Sequence, residues 1–349
     1  MKKFINSLQI STSVIGAIIG AGFITGREIM RFFYASNWFF SVVFTFLVLF
    51  CTVYFILKVT NEKSTFLLEK SSVIIYSFNI LIMASMLGAT DSLAYNLFNI
   101  SSQIPVFSIL LLAISTFCCL CGIDRLTRIN FVLVPVLLLI FFLNVLSLPK
   151  NNQNMFDFKQ KTTDFLTYGY MNVLLAQPFL LKIKKEKNEF SPFVVAFISS
   201  LILSLAIGLF LTVLSDECLT CDIPLILLIK SNFFIYCLLS LIIFLSIFTT
   251  LTSVQYPFFS VNKKYGWIIL VIVSLVSFTI SRMGFYVIVD KIYPAIAIFS
   301  VIYYAFIFAT WLYFSLKGQQ GHTLFPPIRT KSPYSPLQDQ VLVSVHRKR

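Results

Sequence analysis

Charge is scarce in this sequence. Asp, Glu, Lys and Arg make up 12% of its 349 residues, where a soluble globular domain carries about 25%. Histidine is scarcer still: His322 and His346 are the only two, and both lie near the C-terminal end. Histidine-dependent catalysis or metal binding inside the apolar part of the chain is thereby excluded. No H-E-x-x-H or G-x-S-x-G occurs, so the chain lacks these signatures of metal-dependent or serine hydrolysis and reads as a non-enzyme without a cofactor. Strand-like alternation of apolar and polar residues is also missing, which argues against a transmembrane β-barrel. The first apolar run passes into glycines and charges without a small-residue cleavage site, so no signal peptide is expected. Of the seven cysteines, Cys51, Cys118, Cys119, Cys121 and Cys237 sit in apolar runs and read as small hydrophobes. Cys218 and Cys221 form a lone C-x-x-C, a weak signal for a disulfide and a weaker one for a metal.

What is present is apolar. Hydrophobic residues make up 58% of the chain and 39 of them are phenylalanine. Crossing about 30 Å of hydrocarbon takes about 20 such residues in a helix. Ten segments qualify, at roughly 8–34, 38–58, 72–98, 104–122, 128–148, 164–183, 192–214, 232–258, 266–281 and 286–316. A further apolar piece at 223–229 is too short to span and reads as an interfacial or re-entrant turn. The formal charge of +13 does not point to nucleic acid, because the basic residues occupy short loops between apolar runs. With the N-terminus inside, 19 of the 27 Lys and Arg face the cytoplasm and 8 face outward. By the positive-inside rule both termini are then cytoplasmic, and the partner is the lipid bilayer. The stretch after Lys317 is polar and rich in Pro and Ser, and reads as a disordered basic tail.

Segments one to five (1–148) and six to ten (164–316) are similar in size and joined by a polar loop at 149–163. Five is odd, so the second half enters the membrane from the opposite side, as in an inverted repeat. In such folds paired broken helices mark the binding site. Segment one carries Gly16, Gly20, Gly22 and Gly26, then Arg27, Glu28 and Arg31. Segment six carries Gly169, Asn172, Gln177 and Pro178, and proline disrupts a helix interior. Breaks there would expose backbone groups, which a membrane tolerates only beside protein or a water-filled cavity. The alternative is close packing, since Gly16/Gly20 and Gly22/Gly26 are each four apart. A matching break near Asn172 decides between the two. On the cavity reading Gly20, Gly22 and Asn172 offer binding groups to a small-molecule solute, and Tyr168, Tyr170 and Asp91 line the space. Asp91 lies deep in segment three, where an acid is expensive and normally faces the bundle interior; it binds a substrate amine, carries a proton, or is held by a nearby hydroxyl. Glu28 either forms an i,i+3 ion pair with Arg31 or serves gating or proton coupling.

The stretch GAIIGAGFITGREIMRFF (Gly16–Phe33) resembles the opening of the YkvI family of bacterial membrane proteins. YGYMN (Tyr168–Asn172), IFTT (Ile247–Thr250) and Tyr293–Pro294 extend the likeness over about residues 5–316. That family is similar to the amino acid–polyamine–organocation superfamily. The resemblance implies an all-α integral membrane protein with a LeuT-type 5+5 inverted repeat in a bacterial cell membrane. It also implies a secondary transporter and leaves the ligand undefined; together with the cavity reading, the expectation is a small organic solute, an amino acid or amine, coupled to sodium or protons. By the same resemblance a sodium ion would be held by the carbonyls of Gly16 and Ile19 with Thr249 and Thr250. Arg27 or Arg31 would close an outer gate on Asp290. A receptor or sensor built on the same fold without net transport is the rival, and a channel is a third reading. Oligomeric state is not legible in the sequence.

Overall fold

The computed structural model describes residues 2–33, 37–59, 62–98, 105–148, 164–187, 189–213, 223–225, 233–262 and 264–323. Every regular element among them is helical. The broken first segment gives α1 (Lys2–Ile18), α2 (Ala21–Ile24) and α3 (Arg27–Phe33). Then follow α4 (Trp38–Lys58), α5 (Glu62–Phe98), α6 (Val106–Leu120), α7 (Ile123–Ser147), α8 (Asp164–Glu186), α9 (Pro192–Leu211), α10 (Phe233–Phe259) and α11 (Gly266–Ser281). The last run is α12 (Phe285–Val287), a π-helical turn (Ile288–Ile292) and α13 (Tyr293–Thr323).

Six of these helices are long and apolar enough to cross a bilayer: Trp38–Lys58, Thr65–Tyr95, Ile123–Ser147, Pro192–Leu211, Tyr236–Phe259 and Phe285–Leu316. α6 and α11 are shorter apolar helices. The distribution of side chains is the reverse of a soluble protein. Large apolar residues such as Phe117, Leu139, Trp267, Ile272 and Leu275 are exposed, while Ser11, Ser13, Thr45, Asn130, Gln177, Ser246, Thr249 and Gln255 are buried. Water would not tolerate so extensive an apolar exterior, whereas lipid tails match it. The chain is therefore built as a helical, multi-pass membrane protein.

Met1–Ile307 form one compact unit, and Phe308–Arg349 a second in which the described residues continue α13 to Thr323. Residues 317–323, expected to belong to the polar tail, are thus helical, and 324–349 lie outside the described residues. Local signals set the helix ends. Asn37 caps α4 by accepting from the Phe40 amide at 3.3 Å. α9 opens on a proline at its first turn, where no amide donor is needed. In the body, α1 packs on α7, α9 and α10, α4 on α8 and α9, and α5 on α8, α10 and α11. The α4–α9 contact is close because Gly208 has no side chain: a Cβ there would lie 2.7 Å from Val42. The Trp38 indole donates to the Gly208 carbonyl across that contact at 2.7 Å.

One expectation fails. Segment six is not broken: α8 is a single helix through Asn172 and Pro178, so the matching break is missing and the Gly16/Gly20 and Gly22/Gly26 spacings read first as close packing. Its interrupting residues have other partners. A Cβ on Gly169 would lie 2.7 Å from Val48, so that glycine admits α4. Asn172 donates to the Tyr168 carbonyl within its own helix at 3.0 Å. Gln177 donates to Leu68 O at 3.3 Å and to Tyr303 Oη at 2.8 Å, and accepts from Tyr304 Oη at 3.1 Å. A single proline without a second disruptor is accommodated inside the helix. The lone C-x-x-C, Cys218 and Cys221, lies outside the described residues. Of the short apolar piece, only Ile223–Leu225 are described; the Leu225 amide donates to Thr25 O at 3.0 Å.

Candidate functional site

The first segment is interrupted twice. α1 stops at Ile18, and the Gly20 amide turns back to Ile18 O at 2.9 Å instead of reaching Gly16 O. The backbone angles at Gly20, φ −94° and ψ −171°, suit any residue. Its need for glycine is spatial: a Cβ would lie 2.8 Å from Met86 Cε and 3.4 Å from Thr250 Cγ2. The second interruption follows one helical turn later, at Thr25–Gly26. Gly26 has φ 81°, the left-handed region where a Cβ is penalised.

Backbone groups released at the first interruption must find partners away from water. Three are supplied by neighbouring helices. Thr250 Oγ1 donates to Gly16 O at 2.8 Å and lies 3.0 Å from Ile19 O. Ser246 Oγ donates to Ile19 O at 2.7 Å. The Ala21 amide lies 3.3 Å from Met86 Sδ. Four neutral oxygens, Gly16 O, Ile19 O, Thr250 Oγ1 and Ser246 Oγ, thus converge where α1 breaks against α10. Thr249 is not among them: its hydroxyl donates to Ser246 O in its own helix at 3.0 Å. Ser246 lies outside the expected ligand set, although it precedes Thr250 by four residues and so shares its helix face. Oxygen-only ligands suit a hard cation, and rotating the two hydroxyl protons away would offer such an ion four lone pairs. Beside this cluster lies Asn130 of α7, 1% exposed, with its Cγ 3.6 Å from where a Gly16 Cβ would stand. Neither atom of its amide has a hydrogen-bond partner among the described residues.

Past the second interruption, α3 aims its charged residues in different directions. Arg27 grips Asp290 with two bonds, Nη2 to Oδ2 at 2.6 Å and Nε to Oδ1 at 3.1 Å. The two side chains are 4% and 20% exposed, and the guanidinium lies 4.1 Å from the centre of the Tyr286 ring. Paired geometry of this kind is the strong form of an ion pair. Asp290 sits in the π-helical turn, an irregularity that often accompanies function. Arg31 Nε donates to the Asp290 backbone carbonyl at 3.3 Å. Glu28, 3% exposed, forms no pair with Arg31 among the described residues. It folds back over Gly22, where any Cβ would collide with its carboxylate. The Tyr168 hydroxyl donates to it at 3.3 Å. Tyr168 is itself held between Phe32 and Phe33, with ring centres 5.3 and 5.0 Å away.

Gly16, Ile19, Gly20, Gly22, Arg27, Glu28, Tyr168 and Thr250 are therefore linked through the interrupted segment. Three expected members do not join them. Tyr170 stacks on Tyr304 at 5.4 Å; two positions along a helix turn it to a different face from Tyr168. Asp91 pairs with Arg282 at 2.9 Å and accepts a bond from Ser108. With side chains 28% and 44% exposed, that pair fastens α5 to the end of α11, and the Ser108 bond is the hydroxyl contact of the structural alternative for Asp91. Asn172 stays bonded to its own helix and offers no broken backbone.

Comparison with models of known protein families gives no match to this chain, and comparison with characterised proteins gives none either.

Proposed function

We propose that the chain is a secondary transporter that moves a small organic solute, an amino acid or amine, by alternating access. The observation that carries this reading is the interrupted first segment. Its freed carbonyls meet α10 hydroxyls, and its far end closes through the bidentate Arg27–Asp290 pair. Irregular backbone inside a membrane protein is expensive and is characteristic of substrate and ion paths. On this reading the ten apolar segments form a 5+5 inverted repeat of the amino acid–polyamine–organocation type, as the likeness to the YkvI family implies. The termini lie in the cytoplasm of a bacterial cell, and Arg27–Asp290 is the outer gate. Gly16 O, Ile19 O, Ser246 and Thr250 hold a coupling sodium ion; if protons couple instead, Glu28 is the buried acid placed to carry them. Two features lean against a strict two-break design: α8 is continuous, and protein hydroxyls satisfy the freed carbonyls. The π-turn at Asp290 is then the second irregular element, opposite the first.

A thermal-shift screen of amino acids, amines and organic acids, with and without sodium, tests the proposal. A stabilising solute whose effect rises with sodium, and loses that dependence in Thr250→Val, is the expected result. A solute effect indifferent to both sodium and Thr250 removes the ion site.

A further inference from the structure

Between α5 and α8, at the end of the bundle carrying the α8 C-terminus, lies a polar cavity of about 140 Å³. That is room for several waters or a small solute. Glu69, Ser72 and Tyr76 of α5 form one wall, and Pro178, Lys182 and Lys185 of α8 the other. The end of α10 borders it: the Tyr76 and Phe258 rings lie 5.0 Å apart, and Lys182 Nζ donates to Ser260 O at 3.1 Å. Glu69 and Lys185 make no hydrogen bond or ion pair among the described residues.

The walls are fixed from behind. Leu68, Ser71 and Gln177 each immediately precede a wall residue, and they are tied together. Gln177 Nε2 lies 3.3 Å from Leu68 O and 2.8 Å from Tyr303 Oη, and Ser71 Oγ is 2.6 Å from that same hydroxyl. The cavity is also in line with the helix break. Glu69, Ser72, Tyr76, Asn79 and Met86 recur at helical spacing on one face of α5. Met86 touches Gly20 and Ala21. Asn79 is 1% exposed, and both atoms of its amide lack a hydrogen-bond partner among the described residues. A buried amide without partners is costly unless something binds it, so the face between cavity and break carries an unmet demand for a polar ligand.

We propose that this cavity is a second solute site, on the cytoplasmic side, for a zwitterion with one carboxylate and one ammonium group, such as a small α-amino acid. The orientation and solute class rest on the transport reading above. Lys182 and Lys185 face the carboxylate and Glu69 the ammonium. A simple amine would meet two cations, and a simple acid would leave Glu69 opposed to it, so the charge pattern selects the zwitterion. Asn79 marks the next step toward the break.

The test is equilibrium binding to the full-length protein in neutral detergent. The probes are glycine, alanine and serine, each beside its carboxamide and its N-acetyl form. Glu69 and Lys185 are exposed, so Glu69→Gln and Lys185→Gln leave the fold intact. The zwitterions are expected to bind, the blocked forms to fail, and each variant to weaken binding by about tenfold, the worth of one charge-assisted contact. Equal binding by blocked forms, or unchanged binding in both variants, overturns the proposal. So does binding of phosphatidylglycerol alone with no response to any amino acid. Flux into vesicles separates this idea from the transport reading. Uptake with unchanged Lys185→Gln binding sinks the site and leaves transport. Lys185-dependent binding without uptake keeps the site and sinks transport.

Discussion

Of Gly16, Gly20 and Gly22 in the interrupted segment, Gly22 leaves the least room for a side chain. A Cβ added there would overlap Oε1, Cδ and Cγ of Glu28. Glu28 is 3% exposed, and it is its side chain that must give way. In Gly22→Ala it must swing away, breaking the 3.3 Å bond from Tyr168. Overpacking a buried site costs about 1–3 kcal/mol, and a hydrogen bond to a carboxylate about 1.5–3 kcal/mol, at the lower end for a long one. We expect a loss of about 2–4 kcal/mol, read as a fall in unfolding temperature on the order of 5 °C. Thermal unfolding in detergent at one fixed scan rate measures it, because unfolding of such proteins is commonly irreversible. The control is a double-mutant cycle with Glu28→Ala. With the carboxylate gone, the new methyl fills the vacated space and Gly22→Ala should cost less than about 0.5 kcal/mol. An equal loss in both backgrounds would refute the argument, by showing that Gly22 is required for its backbone and not for room beside Glu28.

Other positions give simpler tests. Gly26→Ala forces a Cβ into left-handed backbone at φ 81° and should lower stability by about 1–2 kcal/mol, seen in the same unfolding assay. Thr250→Val removes the donor to Gly16 O and should destabilise by about 1–3 kcal/mol. Thr249→Val removes only a bond within its own helix and should cost under about 1 kcal/mol; the reverse order would contradict the placement of these hydroxyls. Arg27→Ala leaves Asp290 without its ion-pair partner and should cost about 3 kcal/mol, with Asp290→Asn in the same background recovering part of the loss.

The first segment was readable because its pattern is redundant: four glycines and three charges in twenty residues have no place in a plain membrane helix. Even so, the glycines act differently from one another. Gly16 and Gly20 admit neighbouring side chains, Gly22 admits Glu28, and Gly26 alone uses a positive φ. Spacing shows that glycine is needed without showing which need applies. Segment six misled for the complementary reason. Asn172, Gln177 and Pro178 look like interruptions along the chain, but Gln177 is satisfied by Leu68, Tyr303 and Tyr304, residues more than a hundred positions away. Long-range partners of this kind are invisible to local pattern. The cation beside Asp91 was hidden likewise, because Arg282 lies 191 residues on. Ser246 was within reach, since the i,i+4 relation to Thr250 places both hydroxyls on one face. Asn79 and Asn130 were not: an asparagine in an apolar run says nothing of whether its amide will find a partner.

Transport itself is the claim everything functional depends on, and flux measures it directly. The full-length protein is reconstituted into vesicles and given labelled amino acids or amines identified by thermal shift, under an imposed sodium or proton gradient. The account predicts saturable uptake above the equilibrium level that collapses with the gradient and is abolished in Gly20→Leu. Binding of the same solute with no accumulation under any gradient would contradict it and make the protein a membrane receptor.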